Sequence, residues 1–407
     1  MRPTSQGWQA IFFGTLTFAA ACVLGTTQLY QLAYALAGLL FFALVLGLFL
    51  SRGLRYTRRV PAGERPVAGC PSRVELSVSN DSRTLSLGVE VVDHLPGRCL
   101  FEAPPIAGLQ TTKLVQSALF PRRGLYELGP AWVRTTDPFG LLRFIRRSEE
   151  PMKVMVYPRV FDLKGFPPGG RSAEMGAAQG ILARQGHEFS SLREYRHGDD
   201  RRHIHWKSVA HTGELVVKEF AHHASRRHTI ILDLHRPVFE ASEAEIEDAI
   251  SAAGSVTRRL AREGLPFCLL RTNEARVAIG FDTGETAFWR AMDLLARARA
   301  DGAVSLGDYL DETLHEGLGE VVVIVSRSLD DGLVRSVKRL GGAGASVLVV
   351  ALAVHTYRAG GAPRGGREDA FSGGVQRLER AGAKVGVVRR PGGIAAFARE
   401  KVGMGAV

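Results

Sequence analysis

The sequence predicts a membrane α-hairpin, an all-β sandwich-like domain and a doubly wound α/β domain, in that order. Three observations carry this. From Pro3 to Ser51 no side chain is charged. From Ser72 apolar residues recur with a period of two, and beyond Arg227 continuous apolar runs alternate with segments of helical period. The expected divisions are 1–60 for the hairpin and its basic flank, 61–160 for the β domain, 161–225 for a Gly-rich linker and a charge-dense motif, and 226–407 for the α/β domain. A length of 407 residues is too great for one ordinary core.

The uncharged stretch holds two apolar runs, Trp8 to Thr26 and Gln31 to Leu50, around the polar break Thr27-Gln28. Each reaches roughly 30 Å as a helix, the thickness of a hydrocarbon core. So short a connection makes the runs a hairpin, with both ends on the side of Arg2 and of Arg52, Arg55, Arg58 and Arg59. The positive-inside rule makes that side cytoplasmic, so the expected location is the cytoplasmic membrane, two-pass, with the soluble domains inside the cell. A cleaved signal peptide ending near Ala19-Ala20-Ala21 would leave the second run unexplained.

The remaining charge, within a formal total of +11, is interspersed with acidic residues and forms no basic recognition helix, so nucleic acid is not an expected partner. Cys22, Cys70, Cys99 and Cys268 form no CxxC pair. A Cys70 to Cys99 disulfide is open on spacing, but in a reducing cytoplasm both would be thiols.

In the β region Val74, Leu76 and Val78, then Leu85, Leu87, Val89 and Val91, alternate with polar residues as half-buried strands do, and Asn80-Asp81-Ser82 reads as a turn. Asp137-Pro138-Phe139-Gly140 punctuates the later strands. Such a module serves as a spacer or a binding surface.

Chemistry-bearing residues crowd one segment. Between His187 and Phe220 stand six Arg or Lys and six Asp or Glu, a balance that suits an internally paired network better than a phosphate groove. Gly198-Asp199-Asp200 reads as a turn and helix cap, a short helix through Trp206 follows, and Glu214 to Phe220 reads as a strand. Eight of the twelve histidines lie from His187 to His228, yet His203 and His205 lack a third ligand at fixed spacing. A metal-dependent hydrolase or nuclease using these histidines with Asp199 or Asp200 is the enzyme alternative. No nucleophile elbow accompanies them, so no catalytic residue and no cofactor are assigned. A periplasmic adhesion module is a third reading and needs the opposite topology. Trp206 and Asp200 are expected to make partly buried contacts.

This segment resembles the bacterial proteins that carry the domain of unknown function numbered 58. Arg193, Tyr195, Gly198, Asp199, Asp200, Arg202, Ile204, Trp206 and Lys207 match its pattern, and Gly213 to Phe220, with Lys218, continue it. His211 departs from it, standing where arginine is usual. The resemblance implies a von Willebrand factor A-like C-terminal domain, no established enzymatic activity, and association with MoxR-type AAA+ ATPases and sometimes transglutaminase-like proteins. On this reading Arg193, Tyr195, Gly198, Asp199, Asp200, Arg202, Trp206, Lys207 and Lys218 form a docking network.

In the α/β domain Thr229 to Leu232 reads as a strand covered on both faces, ending at Asp233. Ser242 with Glu245 reads as a capping box, and Gly264 as the end of the helix. Further strands are expected at Phe267 to Leu270, Val321 to Val325, Ser346 to Leu352 and Lys384 to Val388. The stretch Arg358 to Gly374, with seven glycines or prolines, reads as a surface loop, and Gly341-Gly342-Ala343-Gly344 as a turn. Metal-binding type A domains open an Asp-x-Ser-x-Ser motif at the place of Asp233. Here Asp233-Leu234-His235-Arg236-Pro237 lacks both serines, so the site is degenerate and no metal is expected.

Overall fold

The computed structural model describes residues 1–96, 99–148, 151–163, 189–195, 204–206, 208–209, 213–220, 226–236, 242–273, 279–313, 318–357, 365–390 and 392–399. The chain divides into two compact units, Met1–Arg159 and Val160–Val407.

The first unit begins with β1 (Arg2–Pro3), then α1 (Ser5–Leu24) and α2 (Thr27–Leu50). Thr4 caps α1 by accepting the Gly7 N–H, and Gly25, at φ +66°, ends it in the left-handed conformation glycine adopts without penalty. The turn is therefore two residues, with Thr27 already helical. Both helices are long and apolar enough to cross a membrane. Their large side chains point outward: Phe12, Phe13, Leu16, Phe41, Phe42 and Phe49 are all exposed. A helix apolar all round belongs in a core or in lipid.

The β part holds β2 (Leu54–Arg59), β3 (Pro71–Asn80), β4 (Val89–Asp93), β5 (Cys99–Ala103), β6 (Thr111–Leu119), β7 (Gly124–Leu128), β8 (Ala131–Thr136), β9 (Leu142–Ser148) and β10 (Met152–Val156). They pair as β2-β3-β6, β1-β9-β8-β4-β5 and β10-β7, all antiparallel. Val74, Leu76 and Val78 of β3 point into a shared core with Val89, Val91, Val133 and Phe120. The strand expected from Leu85 begins only at Val89. Asn80 fixes the preceding loop, donating to the Thr84 and Ile106 carbonyls and accepting from Ser82.

Period two also decides the fate of the arginines after the hairpin. Arg52, Arg55 and Arg59 face outward, whereas Arg58 is buried against Asp93 with side chains 3% and 0% exposed. Tyr56 donates to the same carboxylate, and Arg58 reaches the Leu128 carbonyl at 2.6 Å. Arg58 therefore serves the β core and not the membrane flank. Cys70 is a free thiol; the Cys99 side chain lies outside the described residues.

The second unit contains an antiparallel pair, β11 (Phe189–Glu194) and β12 (Val216–Phe220), and a six-stranded sheet. The sheet comprises β13 (His228–Leu232), β14 (Phe267–Arg271), β15 (Ile279–Asp282), β16 (Val321–Ser326), β17 (Ser346–Leu352) and β18 (Lys384–Val388), in the order β15-β14-β13-β16-β17-β18. All neighbours are parallel except β15, an antiparallel edge. Helices α3 (Glu243–Arg262), α4 (Gly284–Arg297), α5 (Leu306–Thr313), α6 (Asp331–Gly342), α7 (Gly365–Arg380) and α8 (Gly393–Arg399) complete it. The core on one face joins Ile231, Ile324 and Val349 of the strands to Leu310, Leu333, Val337 and Leu378 of α5, α6 and α7. The sheet is doubly wound, as its apolar runs required.

Two local expectations are corrected. From Gly365 onward the glycine-rich stretch is helix, because Phe371 and Leu378 pack on the core and Gly374 lies against Leu329. Ser242 makes no side-chain capping bond, and Glu245 is buried beside Arg327 at 3.6 Å. The Gly264 stop is present: at φ +68° it lets the Leu265 N–H reach the Leu260 carbonyl.

Candidate functional site

Two places in the second unit concentrate polar side chains. The first is the charge-dense motif. Residues 196–203, 207 and 210–212 lie outside the described residues, and with them Gly198, Asp199, Asp200, Arg202, Lys207 and His211. The backbones of Arg193 and Lys218 stand on the paired strands β11 and β12, where Leu192 pairs with Lys218 and Arg193 with Val217. Tyr195 extends the pairing through its N–H to the Leu215 carbonyl, 2.8 Å. The His205 N–H reaches the Val216 carbonyl at 2.9 Å, so the chain at His205 lies alongside the start of β12.

Here Ile204 is buried and Trp206 is left at 64% exposure. The expected partly buried contact of Trp206 is therefore overturned: the indole is a surface group, near in sequence to Leu215, itself 46% exposed. His205 Nδ1 lies 2.7 Å from Ser208 Oγ, a local pairing that accounts for one ring nitrogen. Among the described residues no group of three or more His, Cys, Asp or Glu side chains is placed to hold a metal.

The second place is the switch point of the sheet, where β13 and β16 lie side by side and their connections leave in opposite directions. Crevices at the carboxyl ends of such strands are where α/β sheets bind ligands. Asp233 follows β13 and is 3% exposed. Its Oδ1 accepts the His235 N–H at 3.1 Å and its Oδ2 faces the Ser326 hydroxyl at 3.0 Å. Ser326 also accepts the Ser328 N–H. Arg327 NH2 donates to the His235 carbonyl at 2.5 Å, and its NH1 lies 3.6 Å from Glu245, with side chains 7% and 5% exposed.

Beside this, Asp248 of α3 accepts from the Tyr357 hydroxyl at 2.8 Å and lies 3.8 Å from Arg390. Burial pushes the Asp248 pKa up, and the Tyr357 bond and Arg390 only partly offset it. Burial also raises the Tyr357 hydroxyl, with the adjacent Asp248 adding to it. Chemically this is a seam of matched charges and dipoles that pins the segments after four strands, β13, β16, β17 and β18, around α3.

The seam does not suit a divalent cation. Both Asp233 oxygens are engaged, Leu234 is buried as an apolar residue, His235 offers its backbone, and the buried Arg327 cation is nearby. Glu245, Asp248, Arg327, Tyr357 and Arg390 were not anticipated from sequence. The run Ser326-Arg327-Ser328 directly after an apolar strand was the signal available for part of the seam.

Comparisons with known proteins meet this geometry at the signature. Residues 191–384 match the family model described as "Protein of unknown function DUF58". The match thus opens on β11 and runs to the first residue of β18, taking in the charge-dense motif from Ser191 and the seam except Arg390. Among curated proteins, "Uncharacterized protein YeaD" of Bacillus subtilis is 24% identical over 324 residues, covering 76% of this chain and 79% of YeaD. Among solved structures, a GH2 beta-galacturonidase from Eisenbergiella tayi is 10% identical, covering 83% of this chain and 56% of its own, at a TM-score of 0.17. A GH20 exo beta-N-acetylglucosaminidase from Vibrio harveyi is 9% identical, covering 82% and 75%, at 0.21. Scores this low carry no argument about fold or activity.

Proposed function

We propose that this chain is a membrane-anchored, cytoplasm-facing scaffold that docks a protein partner through the DUF58 signature, with a MoxR-type AAA+ ATPase as the partner, in envelope-associated assembly. The observation that carries this is the exposed indole of Trp206 within that signature. Exposed aromatic anchors are the side chains that contribute most at protein interfaces, because they bury large area at little entropic cost. The two apolar helices support the anchor, and the outward-facing Arg52, Arg55 and Arg59 after the second support a cytoplasmic orientation. The strand order, with its antiparallel edge, supports a von Willebrand factor A-like reading of the α/β domain, and the engaged Asp233 and nearby Arg327 support reading it as a metal-free module. A transglutaminase-like protein is the second candidate partner.

The test is crosslinking in intact membranes followed by mass spectrometry, with wild type beside Trp206→Ala. The expected result is an AAA+ ATPase captured by wild type and lost in the variant. Capture undiminished in the variant would remove Trp206 from the interface, and no ATPase captured by either chain would sink the partnership.

A further inference from the structure

We infer that the Asp137–Leu142 loop of the β domain is a membrane wedge, with Phe139 seated among lipid acyl chains below the headgroups. The inference rests on the membrane reading of the hairpin. Helix α1 has 20 residues and α2 has 24. At about 1.5 Å per residue, a hydrocarbon layer of roughly 30 Å, measured from the connection at Gly25-Thr26, ends near Ser5 in α1 and near Gly47 in α2.

The β domain does not stop at that boundary. Phe144 lies against Gly47, where an added Cβ would run into its ring, and Leu141, Leu142 and Phe144 cluster with Ala43, Ala10, Leu40 and Leu44. Phe139 reaches further, with its ring centroid 6.1 Å from that of Phe42. Phe42 is five residues before Gly47, about 7 Å deeper along the helix. Phe139 is 43% exposed and Phe42 56%, so this aromatic pair keeps open surface at a depth where the solvent is lipid.

The loop is built for such a place. Backbone groups in hydrocarbon must be satisfied within the protein. Asp137 accepts the Phe139 and Leu142 N–H groups, the Gly140 N–H returns to the Asp137 carbonyl, and Thr4 donates its hydroxyl to Gly140 O and its N–H to Leu141 O. Pro138 has no N–H to satisfy. At the boundary itself Arg2 and Arg143 are register partners across β1 and β9. Like charges directly opposed are unfavourable, and anionic headgroups at that level would relieve them.

The experiment places p-benzoylphenylalanine in the full-length chain at Phe139, at Phe41 of the hairpin, or at Ser117. Ser117 is exposed on β6, six residues or about 20 Å from the helix-proximal end of that strand. Cells are irradiated and phospholipid adducts are read by mass. Adducts at 139 and 41 but not at 117 are expected. Adducts at 41 alone would overturn the wedge while keeping the hairpin in the bilayer. Adducts at none of the three would overturn the hairpin reading and the wedge with it.

Discussion

Single residues divide sharply here between those that hold the fold and those that face outward. Asp93 gathers Arg58 and Tyr56 in a buried cluster and accepts the His94 N–H at its edge. Asp93→Ala strands a buried guanidinium and should cost about 3–5 kcal/mol, whereas the Arg58→Met/Asp93→Leu pair removes both charges and should recover most of it. Denaturant unfolding of both variants is the measurement, and equal losses would show that the cluster acts by packing alone. Trp206→Ala should leave thermal unfolding unchanged within about 0.5 kcal/mol, since an exposed side chain away from such features contributes little. A clear loss of stability would mean that the indole has a buried role. His228 is 2% exposed, and burial lowers its pKa against the weaker opposing pull of the Pro266 and Arg226 carbonyls. Below its ordinary value of about 6.5 the unfolded chain therefore binds more protons than the folded one, and stability falls as pH falls. The penalty is absent above that value and complete once pH has dropped through the folded pKa. His228→Phe should flatten the decline between about pH 7 and 5; identical pH slopes would contradict it.

Elements show propensity yielding to packing. Helix α7 contains Gly373 and Gly374 side by side. An added Cβ at Gly373 meets nothing within 4 Å, whereas at Gly374 it meets Leu329 Cβ at 2.9 Å. Gly373→Ala should stabilise by up to about 1 kcal/mol through helix propensity alone. Gly374→Ala should destabilise by about 1–3 kcal/mol, because overpacking against an immobile Cβ exceeds that gain. Opposite signs in thermal unfolding are the expected result, and two gains would show that Leu329 yields. The same contest explains why a glycine-rich stretch that reads as a loop is helix from Gly365: local composition says nothing of Leu378 and Phe371 finding a core. It also explains Ser242, which stands at the helix start in an extended conformation without a side-chain capping bond while Glu245 turns inward to Arg327.

At the scale of the molecule the hairpin and the β domain are one unit. Strand β1 precedes the first helix and pairs with β9, and Leu141, Leu142 and Phe144 are covered by Ala43 and its neighbours. A chain that starts at Leu54 should therefore expose this apolar patch and self-associate without detergent. Sedimentation would read that, and adding Leu142→Ser with Phe144→Ser should return it toward the monomer. A monodisperse truncated chain would show that the helices are a detachable tether.

The sequence by itself determined whatever depends on periodicity and on charge. The uncharged span marked both helices, alternation marked β3, and apolar runs placed β17 and β18 to the residue, because such patterns record which faces leave water. It also singled out the signature on which the family match opens. It missed β15, four residues with an internal glycine, and β6, where polar and apolar residues do not alternate cleanly: Thr111, Lys113 and the apolar Val115 share the exposed face while Thr112 and Gln116 are half-buried. Only the tertiary structure decided which polar residues meet. That Arg58 belongs to Asp93, Asp233 to Ser326, Glu245 to Arg327, and that Trp206 faces outward, depends on strands distant in sequence becoming neighbours. One residue of register or one crossover sets those partnerships, and no local pattern encodes them.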